Sequence, residues 1–568
     1  MKSRLLACAL LGSVAFGLAC GGGGDAPSFL DVVAVDPSNG REDVIVDTRV
    51  RITLDAPIDS VTLTAQTFFL TSSEGTAVPG TVRVLDDQVT AELTPDEPLT
   101  VLTAFTATVT TELKSTGGVS LEEDYQWTFT TLDAAWGEAE WIEPLGSWAS
   151  RQQDIAVDQE LGAVAVWQIG ERAEPTGSVI ANRYTRTDLW GEPVPIDDGN
   201  GLSARPIVAS DGPGNAFVVW EQESLTGPGR EIWTNRYDVA EASWEGPALL
   251  QTGDVTRAKL ATVAADPAGN ATAIYVQVDP IDDSKEVVRA IRYEPDAGWG
   301  EAETIATSVS NLVSAITNVG MDDQGGAVAI WDLPGGTAGQ GVRLLYSSHY
   351  TPSSGWSEPV TVKADNQTSA EGFRLDVGAG GDAFAIWVQG NGDEVSPRDD
   401  IWAARFSAGA WSAPERIDAH DDGDKTGPDI AVDEAGRAYA AWSQADSDFA
   451  NIYVAEYSPG TGWATPVLIE PPNEDPREDG DAETARVEVN RGGNVFVVWR
   501  QIFGQWPSIW SNQRDPGESW DADTAEVIED FAEAANSPKI VVDDARHAHS
   551  IWIHNHSTGP KIRTNRFE

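Results

Sequence analysis

The chain has 568 residues, 41% of them hydrophobic, which gives room for two or three domains with ordinary cores and excludes a disordered protein. Its 90 acidic residues against 37 basic ones give a formal charge of -53, shared by both halves of the chain. Such a surface repels phosphate backbones and anionic lipid headgroups, so nucleic acid is excluded as a partner.

At the N-terminus, Met1-Lys2-Ser3-Arg4 precedes an apolar run from Leu5 to Leu18 that ends at Ala19-Cys20. A charged start followed by a run too short to span a bilayer reads as an export signal. The segment resembles a bacterial lipoprotein signal peptide, in which the cysteine is acylated and becomes the mature N-terminus. On that resemblance residues 1–20 are the signal and Cys20 carries the lipid. The protein is then expected in the cell envelope, anchored in the bilayer at the bacterial surface or periplasmic leaflet, and secreted if Cys20 stays unmodified. Gly17-Leu18-Ala19-Cys20 lacks the leucine that the family prefers three residues before the cysteine. Leu5-Leu6-Ala7-Cys8 has it, yet nothing long enough to engage the export machinery precedes it. Residues 21–28, opening with Gly21 to Gly24, form a flexible tether. With Cys8 removed and Cys20 acylated, the mature body holds no cysteine for a disulfide or a thiolate metal site.

From 29 to 133 short apolar-polar alternations, such as Val50-Arg51-Ile52-Thr53-Leu54 and Thr106-Ala107-Thr108-Val109, are separated by Pro, Gly, Asn and Asp. This is a strand pattern of a length that suits a β-sandwich. The stretch resembles the bacterial immunoglobulin-like domain of the S-layer type, through Val35-Asp36-Pro37 to Gly40, Val44 to Thr48, Leu93-Thr94-Pro95 with Pro98-Leu99, and the closing Trp127-Thr128-Phe129-Thr130-Thr131. The resemblance implies a spacer or adhesion module without catalytic residues.

From 135 to 568 the chain repeats itself with a period of about 55 residues, within the range of propeller blades. One aromatic series is Trp136, Trp190, Trp244, Trp299, Trp356, Trp411, Trp463 and Trp520, and a second is Trp167, Trp220, Tyr275, Trp331, Trp387, Trp442, Trp499 and Trp552. The clearest unit has strands at Pro206 to Ser210, Ala216 to Trp220, Ile232 to Tyr237 and Trp244 to Leu250. Four short strands make one blade. Nine positions before the second aromatic stands Asp158, Asp211, Asp266, Asp322, Gly378, Asp433, Asn490 or Asp543, and this fixed spacing predicts a fixed hairpin. Eight aromatic pairs predict eight blades. The last blade lacks an outer strand before Glu568, while the strand from Trp136 to Leu145 stands alone and is expected to complete it. The fold class is therefore all-β, an Ig-like β-sandwich followed by an eight-bladed β-propeller. The repeat unit resembles the sialidase-like or Asp-box class of propeller, although its Asp-x-x-Gly-Asn turn is not the Ser-x-Asp-x-Gly-x-x-Trp box.

The hairpin turns within blades are short, whereas the connections after Trp220 and after Leu250, and their equivalents, are long and emerge together. That long-loop face, with the channel mouth, is the expected binding surface. Residues recurring in most blades are scaffold, because a site occurs once around a ring. Arg183, Arg236, Arg292, Arg405 and Arg566 are accordingly read as packing or ion pairs between blades rather than as catalysts. Of 22 tryptophans, only Trp141, Trp148 and Trp506 lie outside the repeat and the sandwich, and Trp148 and Trp506, the latter with Phe503 nearby, fall on the long-loop face. These three, Trp148, Phe503 and Trp506, are the candidate ligand-binding residues, since flat rings are what sugars and peptides stack on.

No catalytic residue stands out. A sialidase would need three arginines on a carboxylate and a Tyr–Glu nucleophile, and no Phe-Arg-Ile-Pro motif starts that set. His547 and His549 are separated from His554 and His556 by a strand that puts the pairs about 20 Å apart, so they are read as surface histidines and no metal is assigned. Asp421-Asp422-Gly423-Asp424 and the run from Glu474 to Asp481 have the oxygen density calcium needs, without matching an ordered calcium loop. No cofactor is therefore assigned, with calcium as the alternative. The sequence favours non-catalytic binding or scaffolding of an extracellular glycan or protein. A glycoside hydrolase or lyase, or a purely structural envelope component, are the rivals. A unique buried carboxylate pair at the channel mouth would favour the enzyme, and a uniformly acidic face the structural reading.

Overall fold

The computed structural model describes residues 29–567, apart from 171–176, 252–256, 308–316, 335–341, 364–367, 394–396, 419–422, 472–478 and shorter gaps of one to three residues. Cys20 and the tether lie outside the described residues. The chain divides into two compact units, 1–134 and 135–568.

The first unit is a sandwich of two sheets. One runs Val32–Asp36, Val50–Leu54, Thr90–Pro95, Gly80–Val84, and the other Arg41–Val44, Tyr125–Thr131, Ala104–Val109, Phe68–Ser72, Ala77–Val78. Alternation works as expected: Val50, Ile52 and Leu54 face a core in which Phe68 lies 6.0 Å from Trp127 and Phe105 5.8 Å from Phe129. On the other side of its sheet Glu92, 1% exposed, sits directly across from Arg51 and Arg83 in the flanking strands and takes hydrogen bonds from both, at 2.8 and 2.9 Å. Burial pushes its carboxyl up, but the two guanidiniums outweigh that and hold it below the usual range.

The second unit is a propeller of eight sheets. Blade 1 consists of Ala149–Val157, Ala163–Gly170, Gly177–Thr185 and the outer pieces Leu189–Trp190 and Val194–Pro195; blades 2 to 6 repeat this order, and blade 7 has a single outer piece, Glu526–Val527. Blade 8 is built from Ala535–Val542, Ala548–His556 and Gly559–Phe567, completed by Glu140–Trp141 from the beginning of the unit. There Trp141 pairs with Arg563 and Trp136 bridges Phe567, so the ring closes through a strand borrowed across the seam.

In most blades the outer strand is split, where an unbroken strand from Trp244 to Leu250 was expected. Pro193, Pro247, Pro359, Pro414 and Pro466, which have no N–H for the ladder, interrupt it. Blade 3 has Ala302 at that point, and there the second outer piece extends to five residues, Glu303–Thr307.

The core lies between blades. The second-strand tryptophans Trp167, Trp220, Trp331, Trp387, Trp442, Trp499 and Trp552 are all fully buried. A cluster of Ile142, Ile155, Trp167, Tyr184, Ile551 and Ile562 welds blade 8 to blade 1. The repeated arginines pack as the repeat argument requires. Arg183, Arg236, Arg292, Arg405 and Arg566 each lie 4.0 to 5.6 Å over an aromatic ring of the next blade, the last over Tyr184 across the seam. The Asp turns are also scaffold: the side chains of Asp211, Asp266, Asp433 and Asp543 accept the backbone N–H four residues on, at 2.7 to 2.9 Å.

Candidate functional site

The first strands of successive blades stand side by side around the channel, that of blade 8 against that of blade 1. In blades 1, 2, 3, 5, 6, 7 and 8 this strand carries a bulge whose residue has a left-handed backbone: Gln152, Arg205, Leu260, Gly372, Gly427, Thr484 and Ser537, with φ between 54° and 62°. A bulge re-aims the residues beside it and is a common device at sites. Here the residues at and after it line a cavity of 480 Å³, within the size range of small-molecule sites. At the opposite, short-turn end Arg491 of blade 7 pairs with Asp323 of blade 4 at 3.2 Å, across the axis.

The residue two places after each bulge lines the cavity, and around the ring these residues differ sharply. Blades 2 and 3 contribute Ile207 and Thr262, and blade 4, which shows no bulge among the described residues, contributes Asn318 at the equivalent register with Thr317 beside it. Blades 5, 6, 7, 8 and 1 contribute Arg374, Asp429, Arg486, Lys539 and Asp154. At this position three consecutive blades are neutral and the other five are charged. Lys539 pairs with Asp154 at 3.2 Å, and the Arg374 Nε lies 3.7 Å from Asp429. Asp154 and Asp429 also accept the backbone N–H of Val208 and Val487 in the following blade, which fixes both carboxylates. Glu488 lines the same arc, and Asp376 lies close enough to raise it electrostatically. Burial, then Asp376 and Asp429, pushes the Glu488 carboxyl well above its ordinary range. Burial chiefly pushes Asp376 up to about 6, against a hydrogen bond of 2.7 Å from the Val432 N–H.

Trp148 is 45% exposed and Trp506 44%, and no other tryptophan among the described residues is an exposed large hydrophobic. Trp506 begins the third strand of blade 7 and pairs with Phe503, whose side chain lies outside the described residues. The Trp148 carbonyl accepts from the buried Lys561 at 2.6 Å, so the backbone beneath the exposed ring is held. Trp141, the third non-repeat tryptophan, is scaffold: it lies 5.2 Å edge-on to His554 with Arg563 4.9 Å over its face.

The histidines correct the surface reading, since His547, His549 and His554 are all buried. His549 occupies the slot that Phe217, Phe384 and Phe496 fill in other blades, and lies 4.7 Å from Tyr184. His554 takes the place of Gln222, Gln389, Gln444 and Gln501, which accept from the Trp Nε1 two residues earlier; in blade 8 Trp552 donates to Glu529 instead. The strand joining the two pairs dictates burial more strongly than the polarity of imidazole opposes it. Asp421, Asp422, Glu474 and Asp475 lie outside the described residues, and no group of metal-ligating side chains occurs among the described ones.

Residues 27–131 match the family of bacterial Ig-like domains. No curated protein matches the chain. Among solved structures, a protein of unknown function from Dyadobacter fermentans is similar over 77% of this chain and 99% of its own, at 11% identity and a TM-score of 0.38. A polysaccharide lyase, an ulvan lyase, is similar over 64% of this chain and 96% of its own, at 10% identity and a TM-score of 0.41. The β-propeller domain of the Trilobed protease from Pyrococcus furiosus is similar over 64% and 92%, at 9% identity and a TM-score of 0.36.

The channel arc escaped the sequence reading. Its signal was present at the first-strand position where Ile207 and Thr262 align with Arg374, Arg486 and Lys539. Finding it required the register of the bulge, which no single repeat reveals.

Proposed function

We propose that this is an exported, lipid-anchored envelope protein whose propeller binds an extracellular glycan at its long-loop face. The observation that supports this reading best is the exposure of Trp148 and Trp506 in a protein whose repeat tryptophans are all buried or half-buried. An exposed indole offers a sugar ring an apolar face and an N–H at little entropic cost. The polar cavity at the channel mouth supplies the hydrogen-bonding groups that would orient the same ligand. A glycan array probed with the soluble protein lacking residues 1–28 is the direct test. Trp148→Ala and Trp506→Ala are each expected to weaken the best ligand about five- to tenfold with an unchanged melting temperature. Unaltered binding, or a large drop in melting temperature, would return both residues to the scaffold.

A second reading, glycoside cleavage, is favoured by Glu488 and Asp376, two neighbouring carboxyls raised toward neutrality on one arc of the channel. A carboxyl protonated near neutral pH is what a general acid requires. Reporter glycosides turned over by the protein and not by Glu488→Gln would support it, and no turnover on any would leave binding alone.

A further inference from the structure

The charged arc sets two guanidiniums against one ion-pairing carboxylate, Asp429. Arg374 and Arg486 occupy equivalent positions in blades 5 and 7, on either side of Asp429 in blade 6. Asp429 lies 3.7 Å from Arg374, beyond hydrogen-bond length, and spends its stronger contact on the Val487 N–H at 3.2 Å. Among the described residues Arg486 has no carboxylate within ion-pairing distance, and its Nη1 donates to the carbonyl of Ala485 at 2.6 Å. The two guanidiniums are close enough to repel. Burial first, and then the charge of Arg486, draws Arg374 below its ordinary pKa, with Asp429 opposing. Glu488, on the same arc, is held toward its neutral form by burial and then by Asp376 and Asp429, and so offers little countercharge. In a chain with 90 acids to 37 bases, two adjacent arginines left without full countercharge inside a cavity are not explained by solubility or by ring packing. The packing arginines of the repeat lie elsewhere, over the aromatic rings of the third strands.

We propose that Arg374 and Arg486 bind an oxyanion carried by the ligand, so that the glycan taken by this propeller is an acidic one, bearing a carboxylate or a sulfate ester. The inference rests on the glycan reading above and narrows its ligand class. Guanidinium forks suit planar and tetrahedral oxyanions alike, and a chain with so large an excess of acids admits an anion only where such a pair outweighs them. Asp429, between the two arginines, is held by the Val487 N–H, and Lys539 is already matched by Asp154, so the incoming group would meet the two forks from the cavity that both arginines line.

Titration of the full chain with oligogalacturonate, its methyl ester, a sulfated galactan oligosaccharide and the neutral galactan tests this. An acidic oligosaccharide is expected to bind with an affinity that falls as salt rises, and its uncharged counterpart to bind at least tenfold more weakly. Whether oligogalacturonate or the sulfated galactan binds distinguishes the carboxylate from the sulfate. Arg486→Gln should weaken the acidic ligand about ten- to a hundredfold without lowering the melting temperature, and Arg486→Lys should restore part of the loss. Arg374→Gln should act in the same direction. Neutral and acidic oligosaccharides binding equally well, with Trp148→Ala disruptive and Arg486→Gln silent, would overturn the oxyanion site and leave glycan binding standing. Binding of none of the four, with no acidic saccharide retained on an array, would overturn both.

Discussion

His549 makes the seam between blades 8 and 1 sensitive to acid. Its side chain is 1% exposed, wedged 4.7 Å from Tyr184 and 6.1 Å from Trp190, and its Nδ1 has no hydrogen-bond partner. Burial, then the charges of Arg566 and His547, holds the imidazole well below its ordinary pKa, so in the folded protein it stays neutral. The unfolded chain takes up a proton there once the pH drops below about 6.5. Below that pH the unfolded state binds more protons, so stability falls as the pH falls. With a folded pKa far lower, the loss attributable to this one residue reaches about 2 kcal/mol at pH 5 and is absent at pH 7.5. His549→Phe installs the ring that Phe217, Phe384 and Phe496 provide in other blades, and deletes the titration. Urea unfolding of both proteins at pH 7.5 and pH 5 is the assay. The variant should match or exceed the parent at pH 7.5, and should be more stable by about 2 kcal/mol more at pH 5 than at pH 7.5. All other groups titrate in both proteins, so an equal loss for the two would refute the assignment.

A chain starting at Leu132 is expected to unfold cooperatively, whereas one starting at Asp154, without Trp136 and Glu140–Trp141, should melt lower or aggregate through the open edge of blade 8; equal melting would mean that the borrowed strand is dispensable. Glu92→Gln should cost the sandwich about 2 kcal/mol by leaving Arg51 and Arg83 facing a neutral amide, read as a lower urea midpoint for that unit. The carboxyl of Glu92 is depressed, so its contribution is present above about pH 4.5 and fades as the pH falls below that, a decline the variant should lack. Labelled palmitate should enter the protein in a bacterial host and Cys20→Ser should abolish it; normal labelling of the variant would remove the anchor.

The sequence spoke most clearly where the same physical demand recurs eight times. Each blade must bury an aromatic against its neighbour and turn a tight hairpin, so Trp220 and Asp211 have counterparts around the whole ring, and the strand at Trp136 was legible as the missing member of blade 8. The candidate site was legible only in part. Trp148 and Trp506 stood out because the repeat has no use for them. Arg374, Arg486 and Glu488 did not, because an isolated charge in an acidic chain reads as solvated surface until a bulge of one residue shifts it to the channel side. His549 misled for the opposite reason: a polar residue was judged by its own chemistry, when the slot it fills is set by the blade.

The contact between Arg491 and Asp323 spans the channel at its short-turn end. A polymer threaded through the ring would have to part that ion pair. While it holds, a ligand that enters from the long-loop side leaves the same way, so a long chain presents a terminus or a side branch to the charged arc while the remainder stays outside, against the rim that carries Trp148 and Trp506. Such a geometry reads chain ends and pendant groups, and its occupancy should scale with the number of ends in a sample rather than with its mass.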